Sequence, residues 1–388
     1  MPEALSTDRI LALAEPETLR DPYPAYARLR EAEPVYWSEA IDSWVLTRYE
    51  DCVAVLRNSR AFASDWRRTG EQIPTPLLSI QSLDPPEHTL IRHFMVNAVR
   101  TLDHPALQRM IADRVRERLA RIRRQDSFDV VTEFAAPIAL DTIVAVLGVA
   151  RPEPEWFLPT SQAIVDGMDA GVWPETHEPA VAARARLAEL AEGWLADPPD
   201  AGLVGYVAAH GADSGIERPV LLNTLRAVFH AGFESAGRLL ANALAAMAAV
   251  PDALGRFAAA ETPVAVEELV RHSAPVQADG RACVQETSIG GTVIRRGEAV
   301  TMLLGAANRD PARFHDPDAL DFGRAPNPHV GFGRGTHSCL GQSLATLQAG
   351  VVFEILAAEC DRIRAVTAPV YRRNLTLRGP SRFEARLA

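Results

Sequence analysis

Phe332-Gly333-Arg334-Gly335-Thr336-His337-Ser338-Cys339-Leu340-Gly341 is the stretch that decides how this 388-residue chain is read. A lone cysteine among three glycines suits neither a packed core nor an ordinary surface. Gly333, Gly335 and Gly341 let the backbone turn tightly and approach a partner closely. The residues that follow, Gln342 to Ala349, are mostly helix formers with apolar members at helical spacing. The thiol is therefore expected just before a helix N-terminus, where free N–H groups and the helix dipole favour thiolate over thiol. A thiolate there suits a nucleophile, with His337 two residues away as base, or a ligand to a soft or redox metal. With no C-x-x-C partner it does not read as a zinc ribbon or an iron–sulfur site.

What remains for a single thiolate is a metal that brings its other ligands, as haem iron does. The run resembles the haem-binding signature of the cytochrome P-450 superfamily, F-G-x-G-x-H-x-C-x-G, at every fixed position. The resemblance implies a mainly α fold with small β-sheets, in one domain over residues 1–388. It places haem b (iron protoporphyrin IX) between a long central helix and the helix after the cysteine. Cys339 would be the metal ligand, and Phe332, Gly333, His337 and Gly341 would contact the cofactor.

Composition narrows the class. Hydrophobic residues make up 47% of the chain, ample for a large core, and no linker, charge block or repeat marks a domain boundary. The net charge is −10, and all 40 basic residues are arginine. The absence of lysine excludes Schiff-base, pyridoxal-phosphate and phosphate-loop lysine chemistry. The acidic balance argues against a nucleic-acid partner. Cys52, Cys283 and Cys360 are scattered, so a reducing compartment is expected rather than a disulfide framework. Met1 to Arg9 is polar, without an apolar leader, and no uninterrupted apolar run reaches the length of a bilayer. A cytoplasmic monomer with no membrane anchor, of the bacterial type, is expected.

Helical patterning dominates. Helices are expected from Tyr26, over Tyr49–Leu56, and over 87–99, 104–123, 129–148, 155–168, 179–195 and 201–210. Pro34–Trp37 and Trp44–Thr47 read as a hairpin, and 65–80 as irregular. Pro219–Val250 is mainly apolar and far longer than an average helix, so it is expected to cross the core. Ser288–Val300 reads as a short sheet.

Further residues join the cysteine through the resemblance. Glu268 and Arg271, three apart on one helical face, resemble the family's E-x-x-R pair, a buried structural network. His88 and Arg92 share a face four residues apart after Pro85-Pro86. With Arg281 and His337 they resemble a set that holds haem propionates, for which the arginine fork is well suited. In the central run, Ala231-Gly232-Phe233-Glu234-Ser235 resembles A-G-x-(D/E)-T. Ala231 and Gly232 would let the helix pass close to the haem, with a local widening at the glycine. Glu234 and Ser235 would guide protons, serine standing where threonine is usual. His230, one turn before Glu234, is either a polar handle on substrate or a histidine bonded to a neighbouring helix. The pocket wall is expected from Trp66, Leu77, Leu78, Met168, Trp173, Ala227, Val276, Gln277, Ala278, Leu375 and Thr376.

The activity implied is a monooxygenase acting on a small organic substrate. Electrons would come from NAD(P)H through a ferredoxin or flavodoxin and its reductase, docking near Cys339 beside Arg324 and Arg334. Oxidative coupling, desaturation, a peroxide-driven step, or a non-catalytic haem or ligand carrier are the alternatives.

Overall fold

Prolines open helices in this chain more often than they forbid them. The first long helix, α1 (Tyr23–Ala32), starts before the expected Tyr26 because Pro24 sits in its first turn, where a missing N–H breaks no hydrogen bond. The structure is a computed structural model that describes residues 8–388. The polar leader reading rests on residues up to Thr7 that lie outside the described residues.

Helices of nine residues or more, numbered in chain order, continue with α2 (Tyr49–Arg57), α3 (Glu87–Arg100), α4 (His104–Ile122) and α5 (Ala136–Leu147). Then come α6 (Pro154–Asp166), α7 (His177–Ala196), α8 (Gly202–His210), α9 (Arg218–Ala248), α10 (Thr262–Ser273) and α11 (Gln342–Glu359). The expected 129–148 helix is divided: a wide π-type turn, Val130–Ala135, precedes α5, and the Asp129 side chain caps it by accepting from the Val131 and Thr132 N–H groups. By length and composition Val130–Leu147 could cross a membrane, contrary to the expectation that no run reaches that length. It is mostly buried inside the protein, and its Asp141 pairs with Arg118 and Arg151, as suits a core helix.

The 31-residue α9 is the axis of the main core. It is buried along most of its length and packs against α5, α7 and α10. Gly232 serves the contact with α5. A Cβ there would come within 2.6 Å of the Ile143 side chain, which would have to turn aside to admit it. The helix runs through Gly232 without the expected widening.

The strands gather what the sequence separates. β1 (Val35–Ser38) and β2 (Ser43–Leu46) form the expected hairpin. With β3 (Phe62–Ala63), β4 (Ala278–Cys283) and β5 (Ala299–Leu303) they build a five-stranded sheet of order β1-β2-β5-β4-β3. The β2–β5 pairing is parallel and joins the two ends of the chain. The expected 288–300 sheet is therefore split. Thr287–Ile289 pairs only with Thr292–Ile294, while the following strand joins the N-terminal hairpin. Residues 65–80 hold two 3₁₀ turns, Trp66–Thr69 and Thr75–Leu77.

Candidate active site

The cysteine loop is held by its own backbone. The Cys339 N–H donates to the Phe332 carbonyl at 2.8 Å and the Gly333 N–H to Val330 at 2.9 Å. Gly333 (φ 65°) and Gly335 (φ 73°) occupy the left-handed region, and a Cβ on Gly335 would strike the Leu56 carbonyl at 2.5 Å. Gly341 differs from expectation: its φ is −89°, and it acts as the N-cap of α11. Cys339 is exposed, yet the protein packed about its sulfur pushes the thiol above its ordinary pKa. The Gly341 N–H and Arg92 pull the other way without winning. The N–H groups of the helix end favour the thiolate as expected, but burial of the sulfur outweighs them. A coordinating metal cation would deprotonate such a thiol outright.

Basic groups converge on this loop. Arg92 donates to the Ser338 carbonyl at 2.8 Å and to its hydroxyl at 3.1 Å, fixing the residue before the cysteine. The His88 and His337 rings lie 4.3 Å apart. Burial, His337 and Arg92 lower the His88 pKa to about 4. His337 bonds Asp84 at 3.0 Å. Burial alone would raise the Asp84 carboxyl, but His337, Arg68 and the Asp65 N–H hold it at about 2. Arg281, on β4, donates to Asp279 and to the Gly280 carbonyl. Its neighbour Ala282 pairs with Ala63, just before the Ser64 and Asp65 N–H groups that donate to Asp84. Three of the four expected basic residues thus meet at the loop, and the fourth, Arg281, is joined to them only through that strand pairing.

On α9, Ala231 and Ser235 are half-buried, as is Gly232, whereas Glu234 and His230 are buried. The Ser235 hydroxyl donates to the Ala231 carbonyl at 2.7 Å. Glu234 accepts from the Ser161 hydroxyl at 2.6 Å and from Arg238 Nε at 2.9 Å. Burial would raise its carboxyl, but Arg238, His230 and Ser161 outweigh it and hold Glu234 below its ordinary 4.5. His230 Nε2 lies 3.1 Å from the Ser161 carbonyl on α6, and burial holds its pKa down. Its side chain is bonded to a neighbouring helix, the second of the two readings.

This buried pair has a pH signature. In the native protein Glu234 adds stability at neutral pH that is lost as pH falls through its depressed folded pKa. Arg238→Ala removes the largest of the influences that hold the carboxyl down, so its folded pKa rises. The variant then lacks part of the stability that the parent gains as pH rises, about 1.4 kcal/mol for each unit of upward shift. Urea titrations across the acidic-to-neutral range should show the two proteins diverging with increasing pH; parallel curves would refute this account.

The expected pocket wall divides. Trp66, Ala227, Val276 and Leu375 are half-buried. Leu78 belongs to the main core, and Ala278 to a satellite core. Leu77 is 54% exposed and Met168 43% exposed, both on the outside. Trp173 lies under the Arg373 guanidinium. Gln277 is buried and tied to the backbone, with its side-chain oxygen left without a partner: its amide donates to the Ala274 carbonyl, its N–H to Thr376 O, and its carbonyl accepts from Gly305. Thr376 gives its hydroxyl to Asp169 at 2.6 Å, and Asp169 also accepts the Leu375 and Thr376 N–H groups. Asp169 therefore sets the position of the 375–376 loop. Asp169→Ala should cost roughly 1–3 kcal/mol and speed amide exchange at Leu375 and Thr376; unchanged exchange there would contradict the assignment.

Behind the cysteine, the Glu268 and Arg271 side chains are 0% exposed and paired at 2.7 Å. Arg271 also donates to the carbonyls of Asn308, Pro317 and Ala319. Glu268 also accepts from the Asp321 N–H, Arg324 and Asn327. Arg324 is thus a member of this network, its side chain 9% exposed, and not the free surface charge expected of it. Arg334 likewise turns inward to the His329 carbonyl.

Sequence reasoning missed Asp84, Ser161, Asp169 and Arg238. Only Arg238 had a local signal, four residues after Glu234. Ser161 is 73 positions from Glu234, and Asp169 is 206 from Leu375.

The residues fit a haem. Among the described residues no three His, Cys, Asp or Glu side chains gather to hold an ion, so a metal at Cys339 must bring other ligands. Half-buried Phe332 and Leu340 in the thiol's loop and Leu344 and Leu347 on α11 pack against the main core, an apolar setting beside a basic cluster that suits a flat apolar ring with acidic substituents. The Cytochrome P-450 family model matches residues 262–360, spanning the Glu268–Arg271 pair and Cys339. Cytochrome P-450 107B1 of Saccharopolyspora erythraea is 30% identical over 95% of each chain. The chain belongs to the cytochrome P-450 family. The beta-dihydromenaquinone-9 omega-hydroxylase of Mycobacterium tuberculosis is likewise 30% identical, over 95% of this P-450 and 76% of that protein. Among solved structures, ligand-free CYP164A2 of Mycobacterium smegmatis superposes with a TM-score of 0.85 at 30% identity, covering 97% of this chain and 99% of that one. CYP109E1 of Bacillus megaterium, in complex with testosterone, shares the fold with a TM-score of 0.87 at 24% identity, covering 96% and 99%. This P-450 is mainly helical with small sheets, as its relatives are, and it is a P-450 monooxygenase.

Proposed function

We propose that this P-450 inserts one atom of dioxygen into a small organic substrate, with haem held by Cys339. The observation that carries the proposal is the single thiol on a rigid glycine loop, with Arg92, His88 and His337 gathered beside it. Haem with a thiolate ligand supplies dioxygen activation and O–O cleavage. The protein's residues supply the rest. Arg92, His88, His337 and Arg281 hold the propionates, and Phe332 and the loop glycines support the ring. Ala231 lets the central helix pass across its other face, while Gly232 is taken up by the contact with Ile143 of α5.

Ser235 is the more readily available proton-handling group. Its hydrogen points to the Ala231 carbonyl, which leaves its lone pairs free to accept. Glu234 has both oxygens engaged, so it relays a proton only after giving up Ser161 or Arg238. Ala227, Trp66, Val276 and the 375–376 loop wall the substrate. Electrons come from NAD(P)H through a ferredoxin or flavodoxin and its reductase, and the protein works in the cytoplasm as a monomer. Relatives carry names as different as a menaquinone hydroxylase and a testosterone complex, so the substrate must be sought in this chain's own pocket.

The test is turnover of the haem-loaded enzyme with NADPH, a surrogate ferredoxin and its reductase under isotopically labelled dioxygen. One labelled oxygen in the product is the expected result. Oxidised product without label would replace insertion by coupling or desaturation, and absence of any product across a broad substrate panel would overturn the proposal.

A further inference from the structure

The three residues before Cys339 are each held by a different part of the chain. The Thr336 hydroxyl donates to the Ser59 hydroxyl at 3.2 Å, two residues past the end of α2. His337 Nε2 bonds Asp84 Oδ1 at 3.0 Å. Arg92 of α3 donates to the carbonyl and the hydroxyl of Ser338. Ser59 and Arg92 are half-buried, whereas Asp84 is 2% exposed, the deepest of the three anchors.

Asp84 is a junction. Its Oδ1 accepts the Ser64 N–H at 3.4 Å besides His337, and its Oδ2 accepts the Asp65 N–H at 3.3 Å and Arg68 at 3.0 Å. Each oxygen therefore serves one backbone N–H and one side chain. Such a set of donors is what makes a buried carboxylate tolerable. Arg68 also donates to the Ser59 carbonyl at 2.8 Å, which joins two of the anchors to each other. The Asp84 carbonyl receives the His88 N–H at 3.0 Å, at the start of the helix that carries His88 and Arg92. Just before Ser64, Ala63 of β3 pairs with Ala282 of β4, the neighbour of Arg281. The elements that carry all four basic residues assigned to the propionates thus meet at this aspartate.

Resting on the haem reading above, we propose that Asp84 is a positioning residue for the cofactor. It holds the His337 ring by Nε2, which leaves Nδ1 as the nitrogen that grips a haem propionate. Between two carboxylates the ring donates from both nitrogens. A carboxylate behind a histidine fixes the orientation of the ring, and at metal sites the loss of such a partner weakens binding about 10- to 100-fold. Asp84 itself touches neither the haem nor the substrate; it acts through His337.

The test is the rate at which haem passes from the loaded protein to excess apomyoglobin. Asp84→Asn keeps the side-chain volume, but its NH2 group would face a backbone N–H in either orientation. A backbone N–H can only donate, so the amide is displaced and the ring loses its anchor. Asp84→Asn is expected to release haem roughly 10- to 100-fold faster than the parent. His337→Ala should also release it faster. Adding Asp84→Asn to His337→Ala should then change the rate by less than about threefold, because the ring through which Asp84 acts is already gone. Parental release from Asp84→Asn would overturn the inference. So would losses that multiply in the double variant, which is the result if the carboxylate merely holds the fold. Asp84→Ala, which brings in no misplaced donor, replaces the asparagine variant if that protein does not fold, with the same outcomes expected. The reduced carbon-monoxide spectrum of the loaded parent reports separately on the haem reading: a parent without the thiolate signature would remove that reading, whereas a parent with it and an indifferent Asp84 would remove this inference alone.

Discussion

Cys339→Ser should yield a folded protein without P-450 activity. The loop that presents residue 339 is fixed by its backbone and by Arg92 on Ser338, none of which needs the sulfur. Melting of the haem-free protein should therefore change little. What disappears is the soft thiolate that pushes electron density towards the iron. The expected result is loss of the thiolate signature in the reduced carbon-monoxide spectrum and loss of dioxygen-dependent turnover by at least a factor of about a thousand, roughly 4 kcal/mol of barrier. A Cys339→Ser protein that kept both the spectrum and the turnover would remove Cys339 from the metal site.

Glu268→Ala should have the largest effect on stability. The carboxylate pairs with Arg271 at 0% exposure and also receives the Asp321 N–H, Arg324 and Asn327. Removing it leaves two guanidinium groups without their carboxylate inside the protein. Breaking such a buried pair costs about 3–5 kcal/mol, a large part of the roughly 5–15 kcal/mol that holds a domain folded. Arg271→Lys should fail in a similar way, because an ammonium cannot bond Glu268 with a fork and also reach three carbonyls. Glu268→Gln keeps the shape and part of the hydrogen bonding, so it should fold with a lower denaturation midpoint. The check is the midpoint for the glutamine variant and soluble, haem-binding yield for the alanine variant. Near-native stability of Glu268→Ala would show that the network does not hold the fold.

The same residues mark how far the sequence could be read. Gly333 and Gly335 were legible because a left-handed backbone leaves a glycine in the string. The long apolar run around Phe229 and Leu240 was legible because its length and spacing allow only a core helix. Gly232 was legible as a close approach, but not what it approaches: the partner is Ile143 of α5. Leu77 and Leu78, adjacent and identical in type, fell on opposite sides of the surface, and periodicity in an irregular segment cannot say which goes in. Arg324 looked like a free charge because its acceptor, Glu268, is 56 residues away.

By itself the sequence determined the family signature around residue 339, the main helices, and the order in which the basic residues follow one another. Those features depend on side-chain type and on spacings of a few residues, which helix geometry converts directly into shared faces. Tertiary structure decided the partners. It gave Glu234 to Ser161 and Arg238, gave Thr376 to Asp169, joined β2 to β5, and set Arg226 on the Arg184 carbonyl. Contacts between residues so distant along the chain are set by how helices and strands pack, and no local pattern encodes that packing.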